Sequence, residues 1–326
     1  MSAPLRWAYA LNQWNSPPTA FVRPEAQTRA LKTISVTGLD AVELQGGSGR
    51  WNNLGRPEHI LLGHGSVEGF RAFLAASGIR RVSSMTWDPT APAEEEGGAL
   101  RSTSNPADRA AILDAAVPFV DFLAAIGGET FVVRASESAW RLPDGPRVAE
   151  VAALFDGLGS LCADRGVRLA VDIDCLSAFR PAALRDALLA ETDPATVGLA
   201  VDTAEYTVSG HDPVEVLLAH GERVAHVQLK DARAVDSGDT YRRPFAESAL
   251  LQGAAEPGIE RWFFELGTPG GLVDVAAILD ALRTIGYAGT VVVESDHSPT
   301  PATTTLLNAW YLRSLGNADF PGGRGR

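Results

Sequence analysis

Eight short runs of apolar and β-branched residues recur along the chain, at 7–11, 41–44, 79–84, 130–134, 168–172, 197–201, 224–229 and 290–294, each followed by a longer stretch with helical spacing. No other feature constrains the fold as strongly. Strands separated by helix-length segments cannot pair as hairpins, so they are joined by crossovers and lie parallel. The helical stretches fall at about 25–37, 66–77, 106–125, 145–164, 181–190, 213–220, 273–286 and 300–315. Asp212-Pro213 reads as an N-cap followed by a proline at the first helical position, and Asn105-Pro106 places another proline just inside a start. Gly78 and Gly166 mark the ends of the second and fourth helices. Gly157 and Gly159 weaken the fourth, since a helical glycine costs about 1 kcal/mol relative to alanine.

Eight such units predict an α/β fold, a (β/α)8 TIM barrel, as one domain over 1–315. An open doubly wound sheet is the rival. It usually carries a glycine-rich phosphate loop after the first strand, and Leu11-Asn12-Gln13-Trp14-Asn15-Ser16 is not one, so no nucleotide cofactor is expected. Polar excursions at about 85–104 and 235–260 fall where barrel active-site loops belong. The glycine-rich tail, 316–326, is expected to be disordered.

A net charge of −12 with no Lys/Arg cluster argues against a nucleic-acid partner. No apolar run approaches the roughly 20 residues that span a bilayer, and the first residues lack a long apolar segment, so a cytoplasmic protein is expected. Cys162 and Cys175 have no zinc-knuckle or disulfide spacing and read as reduced, partly buried thiols.

In a closed barrel the inner strand positions are mostly apolar, and a charge at a strand's last position points into the mouth. Here the second strand ends near Glu43, the fourth at Arg134 and the fifth at Asp172, with Asp174 one pleat later. The sixth runs into Asp202 and the eighth into Glu294. The seventh carries His226, Gln228 and Lys230 on one face, with Val227 and Leu229 on the other. A lone carboxylate at a strand end is explained by solvation or by capping the next helix. Four acidic ends on one axis repel each other unless a counter-charge joins them, and a divalent cation with oxygen ligands supplies it.

Several of these stretches resemble the xylose isomerase-like TIM barrel superfamily of sugar phosphate isomerases and epimerases, especially its inosose dehydratase-like branch. Arg223-Val-Ala-His-Val-Gln-Leu-Lys-Asp231 is similar to its seventh-strand motif, in which His-x-His-Leu-Lys-Asp is usual. Val197-Gly-Leu-Ala-Val-Asp-Thr-Ala-Glu205 is similar to Gly-Leu-x-x-Asp-Thr-x-His on the sixth strand. Glu265-Leu-Gly267, Gly286-Tyr287-x-Gly289 and Val291-Val-Val-Glu-Ser-Asp296 resemble its end, and Asn12-x-Trp14 and Ala41-Val-Glu-Leu44 its beginning. The likeness is strongest from about 166 to 297 and weak from 85 to 150.

The resemblance implies a divalent cation, Mn²⁺, Mg²⁺ or Co²⁺, held by Glu, Asp, His and Glu. By position these become Asp172, Asp202, Gln228 and Glu294. Asp172 is a methylene shorter than the family's Glu, Gln228 offers an amide in place of an imidazole, and Glu205 stands where His is common. An all-oxygen set favours Mn²⁺ or Mg²⁺. The alternative is a barrel without metal that uses its carboxylates, His226 and Lys230 directly.

The chemistry implied is removal of a proton next to a carbonyl on a sugar, cyclitol or keto-polyol, in an isomerase, epimerase or dehydratase. Glu294 and Asp172 then act as base and conjugate acid, and the metal, with Lys230 or Arg233, stabilises the enolate. Glu43, Glu205, His226 and Arg134 are candidates to contact substrate, and Trp14 and Trp87 to stack on it. Each has a plainer role as salt-bridge partner, core histidine or mouth filler. A small-molecule substrate and a homo-oligomer are the expected partners. Gln228 and Asp172 also leave open a non-catalytic barrel that binds a ligand or serves as a partner subunit.

Overall fold

The computed structural model describes residues 4–14, 24–46, 54–90, 100–244, 246, 262–296, 298 and 300–323. Eight parallel strands close into a barrel: β1 (Arg6–Ala10), β2 (Ala41–Gln45), β3 (Arg81–Trp87), β4 (Thr130–Arg134), β5 (Arg168–Asp172), β6 (Val197–Asp202), β7 (Val224–Leu229) and β10 (Thr290–Val293). The order around the barrel is β1-β10-β7-β6-β5-β4-β3-β2. Every strand anticipated from the alternation is present. β3 starts later than expected and runs on to Trp87, because Ser84 to Trp87 find a full ladder against Thr130 to Val133. A two-residue antiparallel ladder of β8 (Asp231–Ala232) and β9 (Phe263–Phe264) is added over the mouth side.

Period-2 alternation sorts the side chains. Tyr9, Phe131, Val171, Leu199, Val227, Leu229 and Val293 face outward into the main core beneath the helices. The inward row is small: Ala8, Ala10, Ala41 and Val292 form one buried patch, and Val132, Ala170 and Ala200 another, joined by Ala225 at the β-bulge where β7 slips by one residue against β6. Small inward residues leave space on the axis, and the long side chains of Glu43, His226 and Gln228 fill it.

The ring of helices comprises α1 (Pro24–Val36), α2 (Pro57–His64), α3 (Val67–Ala76), α4 (Arg109–Ile126), α5 (Val148–Ala163), α6 (Ala182–Glu191), α7 (Thr203–Val208), α8 (Pro213–Ala219), α9 (Val275–Thr284) and α10 (Pro301–Ser314). Asp212 caps α8 as expected, accepting from Val214 N. α4 starts at Arg109 and not at Pro106, because Asn105 Oδ1 accepts from Ala107 N and holds the proline in a preceding turn. α5 is unbroken despite two glycines. A Cβ on Gly159 would lie 2.8 Å from Thr196 Oγ1, so the missing side chain lets the helix close on the entry to β6. The short helices α2 and α7 were not anticipated.

The expected disorder from Gly316 is corrected through Gly323. Phe320 is buried edge-on against Trp7, 5.1 Å between ring centroids, and Arg313 Nε donates to Pro321 O. An aromatic anchor outweighs the glycine-rich composition around it. Residues 324–326, and the loop stretches 91–99 and 247–261, lie outside the described residues. Both cysteines are free and buried, as anticipated. Among the described residues no helix is long and apolar enough to cross a membrane.

Candidate active site

The barrel mouth holds a cavity of about 140 Å³ whose acidic lining comes from Asp172, Asp202, Glu205, Glu294 and Asp296. Gln228 and Lys230 also border it, so the four anticipated metal ligands share one cavity. Each arrives from a different strand end. β5 ends on Asp172, β6 on Asp202, β7 carries Gln228, and β10 delivers Glu294 one residue beyond its last ladder position.

Lys230 lies at the centre. Its Nζ is 2.9 Å from Asp202 Oδ2, 2.7 Å from Asp296 Oδ2, 3.3 Å from Glu205 Oε1 and 3.4 Å from Glu294 Oε1. The side chain is 1% exposed, and the Phe263 ring lies 4.1 Å from the ammonium. Burial alone would depress its pKa, but the surrounding carboxylates outweigh that and push it well above the ordinary lysine range. The neighbouring Asp231 points the other way by alternation. Its carboxylate accepts from Ala232 N and Val273 N, and a Cβ on Gly271 would collide with it at 2.1 Å. The Lys-Asp pair thus divides its work: the lysine enters the cavity, and the aspartate pins the loop behind it.

The carboxyls respond to burial and crowding. Asp172 keeps part of its surface open to the cavity, yet burial and then Asp174, Glu205 and Asp202 push it well above the carboxylate range. Glu294 is raised well above it too, first by burial, with Lys230 opposing and Asp296 and Asp202 adding to the rise. Burial takes Glu205 up to about 7. Glu294 Oε1 accepts from Asn12 Nδ2 at 2.5 Å, and the same nitrogen reaches Asp296 Oδ1. Glu294 Oε2 is buried and has no hydrogen-bond partner among the described residues. Asp202 serves twice: Oδ1 caps α7 through Ala204 N and Glu205 N, while Oδ2 holds Lys230.

Beneath the cavity, fully buried Glu43 orients the inner row. Its Oε1 accepts from Gln228 Nε2 at 2.8 Å and its Oε2 from Ser84 Oγ at 2.7 Å. His226 Nε2 stands 2.9 Å from Glu43 Oε2, out of line for a hydrogen bond. With Nε2 committed to Glu43, what Gln228 offers the cavity is its carbonyl oxygen. Glu43 and His226 therefore shape the floor and lie outside the cavity lining.

Four anticipated contact residues lie elsewhere. Trp87 alternates with cavity-lining Thr86, faces outward and packs against Phe119 and Phe131, each ring 5.7 Å away. Trp14 is half-buried against the core. Arg134 lies across three strand ends, donating to Asp174 at 2.6 Å and to Asp88 at 3.0 Å. Arg233 is exposed, lying on the Phe264 ring and donating to Pro269 O. Conversely, Asn12 and Asp296 belong to the cavity and were not singled out. The signal for Asp296 was its Glu-Ser-Asp spacing, which returns it to the face of Glu294.

The site fits a hard divalent cation in donor type and charge. Among the described residues its candidate donors are all oxygens, five acidic side chains line a cavity with one lysine, and one Glu294 oxygen is orphaned. Yet among the described residues no three His, Cys, Asp or Glu side chains converge as a metal-binding group. The Lys230 ammonium is what the acids converge on.

Comparison with known proteins agrees with the barrel fold. A family profile described as xylose isomerase-like TIM barrel matches residues 31–314. An inosose dehydratase of Geobacillus thermodenitrificans is 32% identical over 167 residues, which cover 49% of this chain and 53% of that one. The chain thus spans about half the length of that curated relative. A probable 3-DHS dehydratase, AsbF, involved in petrobactin synthesis in Bacillus anthracis superposes with a TM-score of 0.69 at 12% identity, covering 94% and 98% of the two chains. An IOLI protein with a bound zinc atom superposes at 0.61 and 14% identity, covering 95% and 98%.

Proposed function

The chain belongs to the xylose isomerase-like TIM barrel family, and from that premise we propose that it is a metal-assisted dehydratase or isomerase acting on a cyclitol, sugar or related keto-polyol. The observation that carries this reading is the pairing of Asp172 and Glu294, two carboxyls raised well above their usual range at the mouth of one barrel. They rise from β5 and β10, three places apart in a ring of eight strands, so a small molecule between them meets one on each side. A carboxyl with a raised pKa is a stronger base once ionised and remains available as an acid near neutrality.

In this reading one of the two takes the proton next to the substrate carbonyl. The other delivers a proton, either to the neighbouring carbon in isomerisation or to a departing hydroxyl in dehydration. Among the described residues Glu294 Oε2 has no competing hydrogen bond, which makes Glu294 the base and Asp172 the acid. Asn12 holds Glu294 through Oε1 and so turns Oε2 to the task. The Lys230 ammonium stabilises charge developing on the substrate oxygen. Asp172, Asp202, Gln228 and Glu294 would hold the cation, which when bound supplies Lewis acidity to the substrate oxygens.

The test is solvent deuterium exchange into inosose and related keto-polyols, with Mn²⁺ supplied. Glu294→Gln and Asp172→Asn should each lower exchange by about 10²–10⁴-fold while leaving the fold intact. Exchange at the wild-type rate in both variants, or none in the wild type with any keto-polyol, overturns the reading. The four carboxylate contacts of Lys230 favour a second one, a barrel in which the lysine is the sole cation. Full exchange after exhaustive chelation would select it.

A further inference from the structure

We propose that Lys230 is a displaceable internal cation: its ammonium, anchored by Asp296, occupies the place between Asp202 and Glu294 that a divalent ion needs, so metal entry and expulsion of the lysine are one event. The inference rests on the metal-assisted reading above and deepens it.

The geometry argues for competition. Two of the carboxylates on Nζ, those of Asp202 and Glu294, belong to the anticipated ligand set. A divalent ion binds carboxylate oxygens at about 2.0–2.6 Å and an ammonium at about 2.7–2.9 Å, so the two compete for Asp202 Oδ2, since Asp202 Oδ1 is already committed to capping α7. Two cations at that separation repel strongly in a buried site.

The geometry also shows that the lysine is poised and not locked. An ammonium has three N–H donors. Four carboxylates surround this one, and the shortfall shows in the distances: two contacts are short, 2.7 and 2.9 Å, and two are long, 3.3 and 3.4 Å. Among the described residues Glu294 Oε2 has no hydrogen-bond partner. One positive charge cannot satisfy this many acids, and a divalent ion supplies twice the charge. The consequence is a built-in coupling. While the site lacks metal, Lys230 keeps the acids from repelling one another. Once metal is bound, the freed ammonium becomes available to the substrate oxygen.

The experiment compares Mn²⁺ affinity of the metal-stripped full-length chain with that of Lys230→Met, Asp296→Asn and Asp202→Asn. Free Mn²⁺ is read by electron paramagnetic resonance and melting temperature is followed in parallel. Competition predicts that Lys230→Met binds Mn²⁺ about tenfold tighter or more than the wild type, and that Mn²⁺ raises its melting temperature by a larger increment. Asp296→Asn keeps the ammonium but takes the charge off its shortest contact and weakens its hold, so it should bind Mn²⁺ several-fold tighter even if the methionine variant does not fold. Asp202→Asn should lose affinity. Equal or weaker Mn²⁺ binding in Lys230→Met overturns the proposal and leaves the metal-assisted reading standing. Weaker binding in Asp296→Asn also overturns it, because Asp296 would then be a ligand. Absence of Mn²⁺ binding in wild type and variants alike sinks the metal-assisted reading and the proposal together.

Discussion

Arg180 and Lys230 each centre a buried ionic group on the loop side of this barrel, and the two groups are built to opposite rules. Arg180 and Asp236 form a balanced pair: Nη1 donates to Asp236 Oδ2 at 2.6 Å, Nη2 donates to its backbone carbonyl at 2.8 Å, and the Tyr241 ring lies 4.2 Å from the guanidinium. Asp236 also accepts from Thr240 N and Tyr241 N. Burial would raise its pKa, but these hydrogen bonds prevail and hold it below the ordinary value. Lys230, by contrast, faces four carboxylates, and Asp202, Glu205 and Glu294 among them are raised. The contrast separates structural from functional charge. A group that closes its own hydrogen bonding contributes rigidity. A group with surplus acidic charge and an oxygen unpartnered among the described residues keeps its carboxyls out of their ordinary range.

That contrast can be broken or sharpened by substitution. Arg180→Ala, which strands Asp236 in a buried site, should lower stability by about 3–5 kcal/mol in urea unfolding, the largest loss expected from either group. A smaller loss than that of Lys230→Met would reverse the assignment. Next comes Asp236→Asn, at about 1–3 kcal/mol near neutrality. Because the folded Asp236 titrates below its ordinary 3.8, its contribution is present above that value and disappears as pH falls through the lowered one. The Asn variant should therefore lose less stability than the wild type as pH falls below the ordinary 3.8. An acid limb of unchanged steepness would contradict the balanced-pair description. The smallest effect belongs to Arg134→Met, whose ion pairs are partly open to solvent, with an expected loss of about 1 kcal/mol. Deuterium exchange in that variant should stay within about threefold of wild type. A large drop would return Arg134 to the site.

The mouth residues legible from sequence were those whose direction follows from local geometry. Once 224–229 is a strand, Gln228 and Lys230 face inward with His226 below them, and no distant residue can alter that. Asp172, Asp202 and Glu294 were legible for the same reason, as acids at strand ends. Trp87 misled because β3 extends past its expected end, which turns Thr86 into the cavity and Trp87 away from it. Arg134 misled because its charge is claimed by Asp88 and Asp174, on loops 46 and 40 residues away. The tail misled because composition does not reveal that one phenylalanine has a pocket beside Trp7.

The alternation of strand and helix, the inward face of each strand and the acidic ring at the mouth were determined by sequence alone, since a pleat repeats every two residues and needs no partner to do so. What those inward groups touch was decided by chain closure. Asn12 meets Glu294 across 282 residues and Gln228 meets Glu43 across 185. Such contacts exist only when the last strand has come back to pair with the first, and the place of Lys230 among the acids depends on that same closure.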